Sequence, residues 1–248
     1  MTSDFFAYEM ELGRRFLIPL LEGRGVRPEG SILDVGCGYG GVLAALAGRY
    51  PAARCLGLDV DAEMVAAGRE KCPAGVRLET GDFFRLEGEG FDLILMRDVL
   101  EHIVRPEAAL ERAASLLNPG GLLFASFAPF HSPFGGHQHN GEGFFSRLPW
   151  LQFLPENLFR VLVRVSGNSY KTREGLVADM DTVLRTRLSI ARFRRAARQA
   201  GLGFRHYAGY AVRPDYRLKF GLPPLRFPAL PLLEEMFSTG VEALLARP

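Results

Sequence analysis

Apolar residues along this chain fall into short runs separated by polar, glycine-bearing stretches, and the spacing changes between two periods. The strongest run is Phe91-Asp92-Leu93-Ile94-Leu95-Met96, whose near-continuous hydrophobicity predicts a strand covered on both faces. Shorter runs predict strands at Ile32–Val35, Arg54–Asp59, Val76–Glu79 and Leu122–Ala128. Between them, helical spacing predicts helices over Val42–Tyr50, Ala62–Lys71 and Pro106–Leu117, the last stopped by Asn118-Pro119-Gly120-Gly121. Ahead of the first strand, Phe5, Tyr8, Leu12, Phe16 and Leu20 also recur at helical spacing. Strands alternating with helices predict an α/β fold, a doubly wound and mostly parallel sheet with its ligand site at the carboxyl edge.

The alternation breaks after Ala128. Residues 129 to 185 hold proline, glycine, histidine and aromatics, then an apolar segment Leu158–Val165 for which an ordinary buried helix or strand is expected, with an amphipathic lid over an apolar acceptor or a peripheral membrane contact as alternatives. Order returns with a helix at Ile190–Ala200 and strands at Phe204–Val212 and Val241–Ala246. Pro223 to Pro231 reads as an extended or turn-rich excursion between those strands. The expected organisation is a single domain over 1–248, with an N-terminal helical segment at 1–29 and an inserted cap at 129–185.

Composition narrows the class. At 248 residues and 48% hydrophobic, the chain suits one large α/β domain with a sizeable core. A net charge of +2 gives no bulk signal for polyanion binding, although Arg185, Arg187, Arg192, Arg194, Arg195 and Arg198 crowd one segment. On a helix these arginines do not share one face, so nucleic acid is not the expected partner. Cys37, Cys55 and Cys72 have neither metal spacing nor even pairing, which fits a reduced, cytoplasmic setting. No signal-peptide pattern opens the chain, and no run of about 18 apolar residues predicts a membrane span.

The most informative stretch is Ile32-Leu-Asp-Val-Gly-Cys-Gly-Tyr-Gly-Gly41, an apolar strand ending in an acid and a glycine loop. Gly36, Gly38 and Gly41 satisfy the G-x-G-x-x-G fingerprint of dinucleotide sites, which is weak alone. Asp34 weighs against a dinucleotide, because its carboxylate would repel a pyrophosphate held at the loop. A cofactor carrying an ammonium and a sulfonium would attract that charge.

With these positions placed, the chain resembles the class I S-adenosylmethionine (SAM)-dependent methyltransferases. The resemblance rests on Ile32–Gly41, Asp59, Gly81-Asp82-Phe83, Phe91–Ile103 with Asp98-Val99-Leu100-Glu101-His102, and Leu117–Gly121. It covers roughly residues 30 to 128, more weakly 186 to the end, and implies a seven-stranded sheet whose last strand is antiparallel. It implies SAM as cofactor, held by Asp34, Gly36, Cys37, Gly38 and Gly40 of the loop. Asp59 would accept both ribose hydroxyls, Val60 and Met64 would pack on adenine, and Asp82 with the Phe83 amide would read the adenine edge. Arg97 and His102 would lie near the methionine part.

Specificity in this family usually resides in additions such as 129–185. That segment holds three of the chain's five histidines, with His137 and His139 the candidates for a base or substrate-orienting role. Loop histidines bonding backbone remain an equal alternative. His137-x-His139 also offers two metal ligands with Glu142 or His131 as third, but no metal is expected on that spacing. The expected acceptor is a small molecule, apolar or aromatic, methylated at oxygen. Alternatives are a nucleic-acid or other macromolecule methyltransferase, an NAD(P)-dependent oxidoreductase, and a non-catalytic SAM-binding subunit.

Overall fold

In the computed structural model, the described residues are all except 1, 89, 142, 166–172 and 229, with backbone alone for 2–4, 163–165 and 173–177. Eight strands form one sheet in the order β3-β2-β1-β4-β5-β8-β6-β7. They are β1 (Ser31–Val35), β2 (Arg54–Asp59), β3 (Val76–Thr80), β4 (Phe91–Arg97), β5 (Leu117–Phe127), β6 (Gly203–Val212), β7 (Leu225–Arg226) and β8 (Gly240–Ala246). The first five run parallel, and β8 inserts antiparallel between β5 and β6. One expectation needs correcting: there are eight strands, not seven. The additional one is the two-residue β7, which folds back on β6 from within the proline-rich excursion.

The hydrophobic run of β4 shows why the sheet is doubly wound. Ile94 and Met96 enter a core shared with α5 (Pro106–Leu116) and α8 (Ile190–Gln199), which contribute Leu110, Ala113 and Phe193. Leu93 and Leu95 point the other way, into a core with Leu43 and Leu46 of α3 (Gly41–Arg49) and Val65 of α4 (Ala62–Arg69). A strand buried on both faces carries no polar alternation, which is the pattern its sequence shows. The N-terminal segment covers this second face. It runs as α1 (Thr2–Leu12), a π-helical turn (Gly13–Leu17) and α2 (Ile18–Glu22), with Leu17, Ile18 and Leu21 buried.

At the amino edge of the sheet, Asp92 accepts from the Ser31 amide (2.7 Å), the Ser31 hydroxyl (3.0 Å) and the Asn118 side chain (2.8 Å). These bonds hold its carboxyl below the ordinary value, Asn118 contributing most. The helix ends at Leu116, next to the expected stop, and residues 118–121 form the irregular start of β5. Its register on β4 jumps from Phe91↔Leu117 to Leu93↔Leu122, so the Asn-Pro-Gly-Gly residues are absorbed in a bulge.

The segment after β5 has a small core of its own, built from Phe130, Leu151, Phe159, Met180, Val183 and Leu184. It contains α6 (Glu156–Val165) and α7 (Arg173–Thr186), and its ends meet where the Phe130 amide donates to the Leu188 carbonyl at 2.8 Å. The expected buried element at 158–165 is instead an amphipathic helix. Phe159 is buried, while Leu158 and Val161 are 46% and 54% exposed. The excursion between β6 and β8 also carries two short helices that the sequence pattern did not reveal, α9 (Tyr216–Phe220) and α10 (Pro231–Phe237). No helix among the described residues is long and apolar enough to cross a membrane.

Candidate active site

The order reverses at β1, which has β2 on one side and β4 on the other, and there the glycine loop emerges. Gly36 (φ +71°) and Gly38 (φ +54°) adopt left-handed backbone. A Cβ at Gly36 would lie 2.4 Å from Val99 Cγ2, and one at Gly38 would lie 2.9 Å from Glu9 Oε1. The loop is therefore held as a tight ring of amides. Gly36 N–H donates to the Leu58 carbonyl (2.8 Å), and Gly38 N–H to Asp59 Oδ2 (2.8 Å). The other oxygen of Asp59 accepts the Asp61 amide at 2.9 Å, and Asp61 caps α4 through the Glu63 and Met64 amides.

Asp34 ends β1 beneath this loop and is 3% exposed. Burial lifts its carboxyl to about 7, with the positive charge of Arg97 opposing and the negative charge of Asp59 adding. Glu9 joins it from α1, a residue that helical spacing alone did not mark as part of a site. Its Oε2 accepts the Gly41 amide at 3.0 Å, at the start of α3, where a carboxylate complements the helix terminus. Burial lifts Glu9 to about 7 as well, against the Gly41 hydrogen bond and Arg97.

The remaining expected cofactor residues line the same carboxyl edge. Asp82 follows β3, stays half-exposed, and accepts the Phe84 amide at 2.9 Å, while the Phe83 ring is buried. Val60, 80% exposed, and the half-buried Met64 follow β2. The Cys37 side chain is buried and the Gly40 backbone, at φ +78°, precedes α3. Arg97 is half-buried at the end of β4.

Beyond Arg97 the chain bends sharply. Asp98 is left-handed (φ 53°), its amide donates to the Ser126 carbonyl (2.8 Å), and both its oxygens accept from Arg213 Nη2 at 2.7 Å. Burial would raise this carboxyl, but Arg213 and Arg97 overcome it and hold it near 2. Arg213 lies beyond β6 and also reaches Asp215 at 3.1 Å, so it closes the site from a distant part of the chain.

The next turn, Leu100–His102, delivers Glu101 and His102. Glu101 is 2% exposed; its Oε1 accepts the Ala128 amide (3.1 Å) and its Oε2 has no hydrogen-bond partner. Burial, then the charge of Asp98, raises its carboxyl to about 8. His102 Nδ1 lies 3.2 Å from Asp179 Oδ1, and His137 Nδ1 lies 3.6 Å from Asp179 Oδ2. The two imidazoles meet edge to face with centroids 4.9 Å apart. His137 is 7% exposed and left-handed (φ 59°); burial works against its protonation, but Asp179 and Glu101 raise its pKa overall.

His139 lies at the rim of this group, 5.9 Å from the His137 ring and 5.6 Å from Phe134, open to solvent on one side. Desolvation of the part of the ring turned inward, then the positive charges of His137, Lys219 and Arg213, lower its pKa. The third insert histidine is elsewhere: His131 Nδ1 pairs with Glu235 at 2.9 Å. Glu142 lies outside the described residues. The fold thus brings His102 and His137 together through Asp179, which no sequence motif marked, keeps His139 at the edge, and removes His131.

A sheet-edge glycine loop with acids at the ends of β1, β2 and β3 matches a known domain. The profile of the methyltransferase domain family fits residues 32–121. Over this segment the chain is similar to methyltransferase domains. The chain is 41% identical over 98 residues to a trans-aconitate 2-methyltransferase of Deinococcus radiodurans, covering 39% of this chain and 37% of that protein. It is 36% identical over 110 residues to a ubiquinone biosynthesis O-methyltransferase of Parvibaculum lavamentivorans, covering 42% and 43%. The chain therefore matches less than half the length of these curated relatives. A solved SAM-dependent methyltransferase from Thermotoga maritima shares the fold over 98% of this chain and 90% of that one, at a TM-score of 0.55 and 18% identity. The methyltransferase domain thus accounts for the glycine loop and its acids, while the histidine group straddles its boundary at residue 121.

Proposed function

We propose that the protein is a SAM-dependent methyltransferase acting on a small-molecule acceptor, with oxygen as the accepting atom. The observation that carries the reading is the crevice at β1: a left-handed glycine loop whose amide is tied to Asp59, above a buried Asp34 and beside Glu9. Two acids drawn up to about 7 by burial leave a site short of positive charge, which an ammonium and a sulfonium would supply. Glycine at 36 is required by packing, because a side chain there would collide with Val99. When bound, SAM supplies a methyl group on a leaving group that is already activated.

The chain's own residues then have positional tasks. Asp59 accepts the ribose hydroxyls, Asp82 and the Phe83 amide read adenine, and Val60 and Met64 pack on its faces. Asp34 and the backbone at Arg97 hold the methionine end, with Gly36, Cys37, Gly38 and Gly40 shaping the loop and His102 at its far side. Alignment of acceptor and methyl is the main requirement, and well-oriented reactants gain about 7–11 kcal/mol from proximity. An acceptor hydroxyl must also lose a proton. His137, whose pKa is raised beside Asp179, is the better proton acceptor, and His139, held neutral at the open rim, is suited to orient the acceptor.

Residues 129–185 serve as the cap over that acceptor in this reading, with Phe134 beside His139 giving an aromatic wall. The names of the two relatives support a small-molecule substrate. The arginine-rich helix does not favour nucleic acid, because Arg192 pairs with Glu107 and Arg194 with Glu234. A thermal-shift titration with SAM, S-adenosylhomocysteine, NADH and NADPH tests the cofactor. A ligand at about 100 times its dissociation constant adds roughly 2.7 kcal/mol, which for this size is a rise of about 5–10 °C. A rise with the first two alone supports the reading, and a rise with the nicotinamides alone overturns it.

A further inference from the structure

We infer that Glu101, His102 and His137 form a binding site for one divalent transition-metal cation, with Asp179 completing it, at the acceptor side of the carboxyl edge. One ligand atom from each of the first three lies within 4.8 Å of the others. A tetrahedral site with bonds of about 2.1 Å has edges of roughly 3.4 Å, so small side-chain rotations close the group onto an ion. Asp179 faces both imidazoles, at 3.2 Å from His102 and 3.6 Å from His137.

Two buried atoms point to a ligand. Glu101 Oε2, on a residue 2% exposed, has no hydrogen-bond partner, and His137 Nδ1, on a residue 7% exposed, has only the 3.6 Å ion pair with Asp179. Buried polar atoms without a full partner destabilise the fold, and a cation coordinated by both removes that cost. The backbone agrees with this arrangement. His137 is held left-handed, a conformation uncommon outside glycine, where it directs the ring at His102. A donor set of two imidazoles and one or two carboxylates suits zinc, manganese, iron or cobalt rather than magnesium or calcium, which prefer all-oxygen shells.

The site follows β4 directly and is bonded to Ala128 just beyond β5, so it sits where an acceptor would enter. Resting on the methyltransferase reading, an open position on the cation would take the acceptor oxygen and lower the pKa of its hydroxyl. The cation would then replace the proton on His137, and that histidine would act as a ligand instead of as a base.

The test is titration of the chelator-treated, full-length protein with cobalt(II), followed by visible absorption, and with manganese(II), followed by the loss of its free-ion paramagnetic signal. Wild type is expected to bind one equivalent. Glu101→Gln keeps an oxygen for the Ala128 amide, and His137→Asn keeps a residue tolerant of left-handed backbone, so both should fold. Each should weaken cation binding at least tenfold, with the thermal rise on SAM unchanged as the control for folding. No stoichiometric binding by wild type, or equal binding by both variants, overturns the site. Cation binding without any response to SAM would leave the metal site standing and sink the methyltransferase reading, so the two failures are separable.

Discussion

The glycine-loop crevice, proposed to hold the cofactor, and the histidine group, proposed as the acceptor side, occupy the same sheet edge but are built by opposite means. The crevice is assembled from residues close to the strand ends that carry them: Asp34 on β1, Asp59 on β2, and glycines within one loop. The acceptor side is assembled across the chain. Asp98 meets Arg213, and His102 and His137 meet Asp179. The first arrangement follows from local backbone requirements and leaves a motif. The second depends on where an insert and a late strand return to the sheet.

The widest separation of the two regions comes from their cores. Phe193→Ala, in the core beneath α8, is expected to cost about 3–5 kcal/mol of global stability, read by denaturant unfolding. Phe159→Ala, in the insert's own small core, should expose amides of 130–188 to hydrogen exchange and leave SAM affinity unchanged. A loss of SAM binding in the second variant would mean the regions are one cooperative unit.

Next in size are the acceptor-side histidines. His137→Asn and His139→Asn should each lower turnover about a hundredfold or more, with SAM affinity retained in calorimetry. Wild-type turnover in both variants would make these side chains structural. The converse substitution, Asp59→Ala, should weaken SAM by about 10–100-fold, as expected for losing hydrogen bonds to a charged group. Unchanged affinity would remove the proposed ribose contact.

The smallest effect is a pH dependence confined to the crevice. Asp34 and Glu9 hold protons up to about 7 in the ligand-free protein. A cationic ligand prefers them ionised, so SAM affinity should rise as pH rises through 7, measured by calorimetry between about pH 6 and pH 8. The ligand-free fold should move the other way. Groups with folded pKa above the unfolded value of about 4 make stability fall as pH rises from about 4 to 7. Glu9→Gln should flatten part of both slopes, and an unaltered slope would show that Asp34 alone is responsible.

The parallel part of the sheet was legible because each strand had to satisfy two covered faces. Leu93 to Met96 shows that requirement in consecutive residues, and β2 keeps the bounds its sequence predicts. Legibility failed where length or chemistry was local and weak. Two residues, Leu225 and Arg226, are too few to carry an alternation, so the sequence predicts only an extended excursion where β7 forms. At 118–121 the glycine and proline signals for a helix stop were real, but pairing with β4 drew those residues into a bulged strand. At 158–165 the arginines Arg160 and Arg164 interrupt an apolar run, and only packing of Phe159 against Met180 and Val183 shows which face is inward.

By itself the sequence determined the doubly wound class, the glycine loop and the acids of its strand ends. Those features rest on short-range geometry: side-chain period, left-handed glycine backbone, and a carboxylate at the end of an apolar run. Tertiary structure alone decided which histidine met which acid. His102, His137 and His131 were equal as letters, yet the first two converge on Asp179 while the third pairs with Glu235. Glu9 likewise became part of the site only because α1 lies over the start of α3. Contacts between residues distant in sequence are set by the packing of whole elements, and no local period in the chain encodes them.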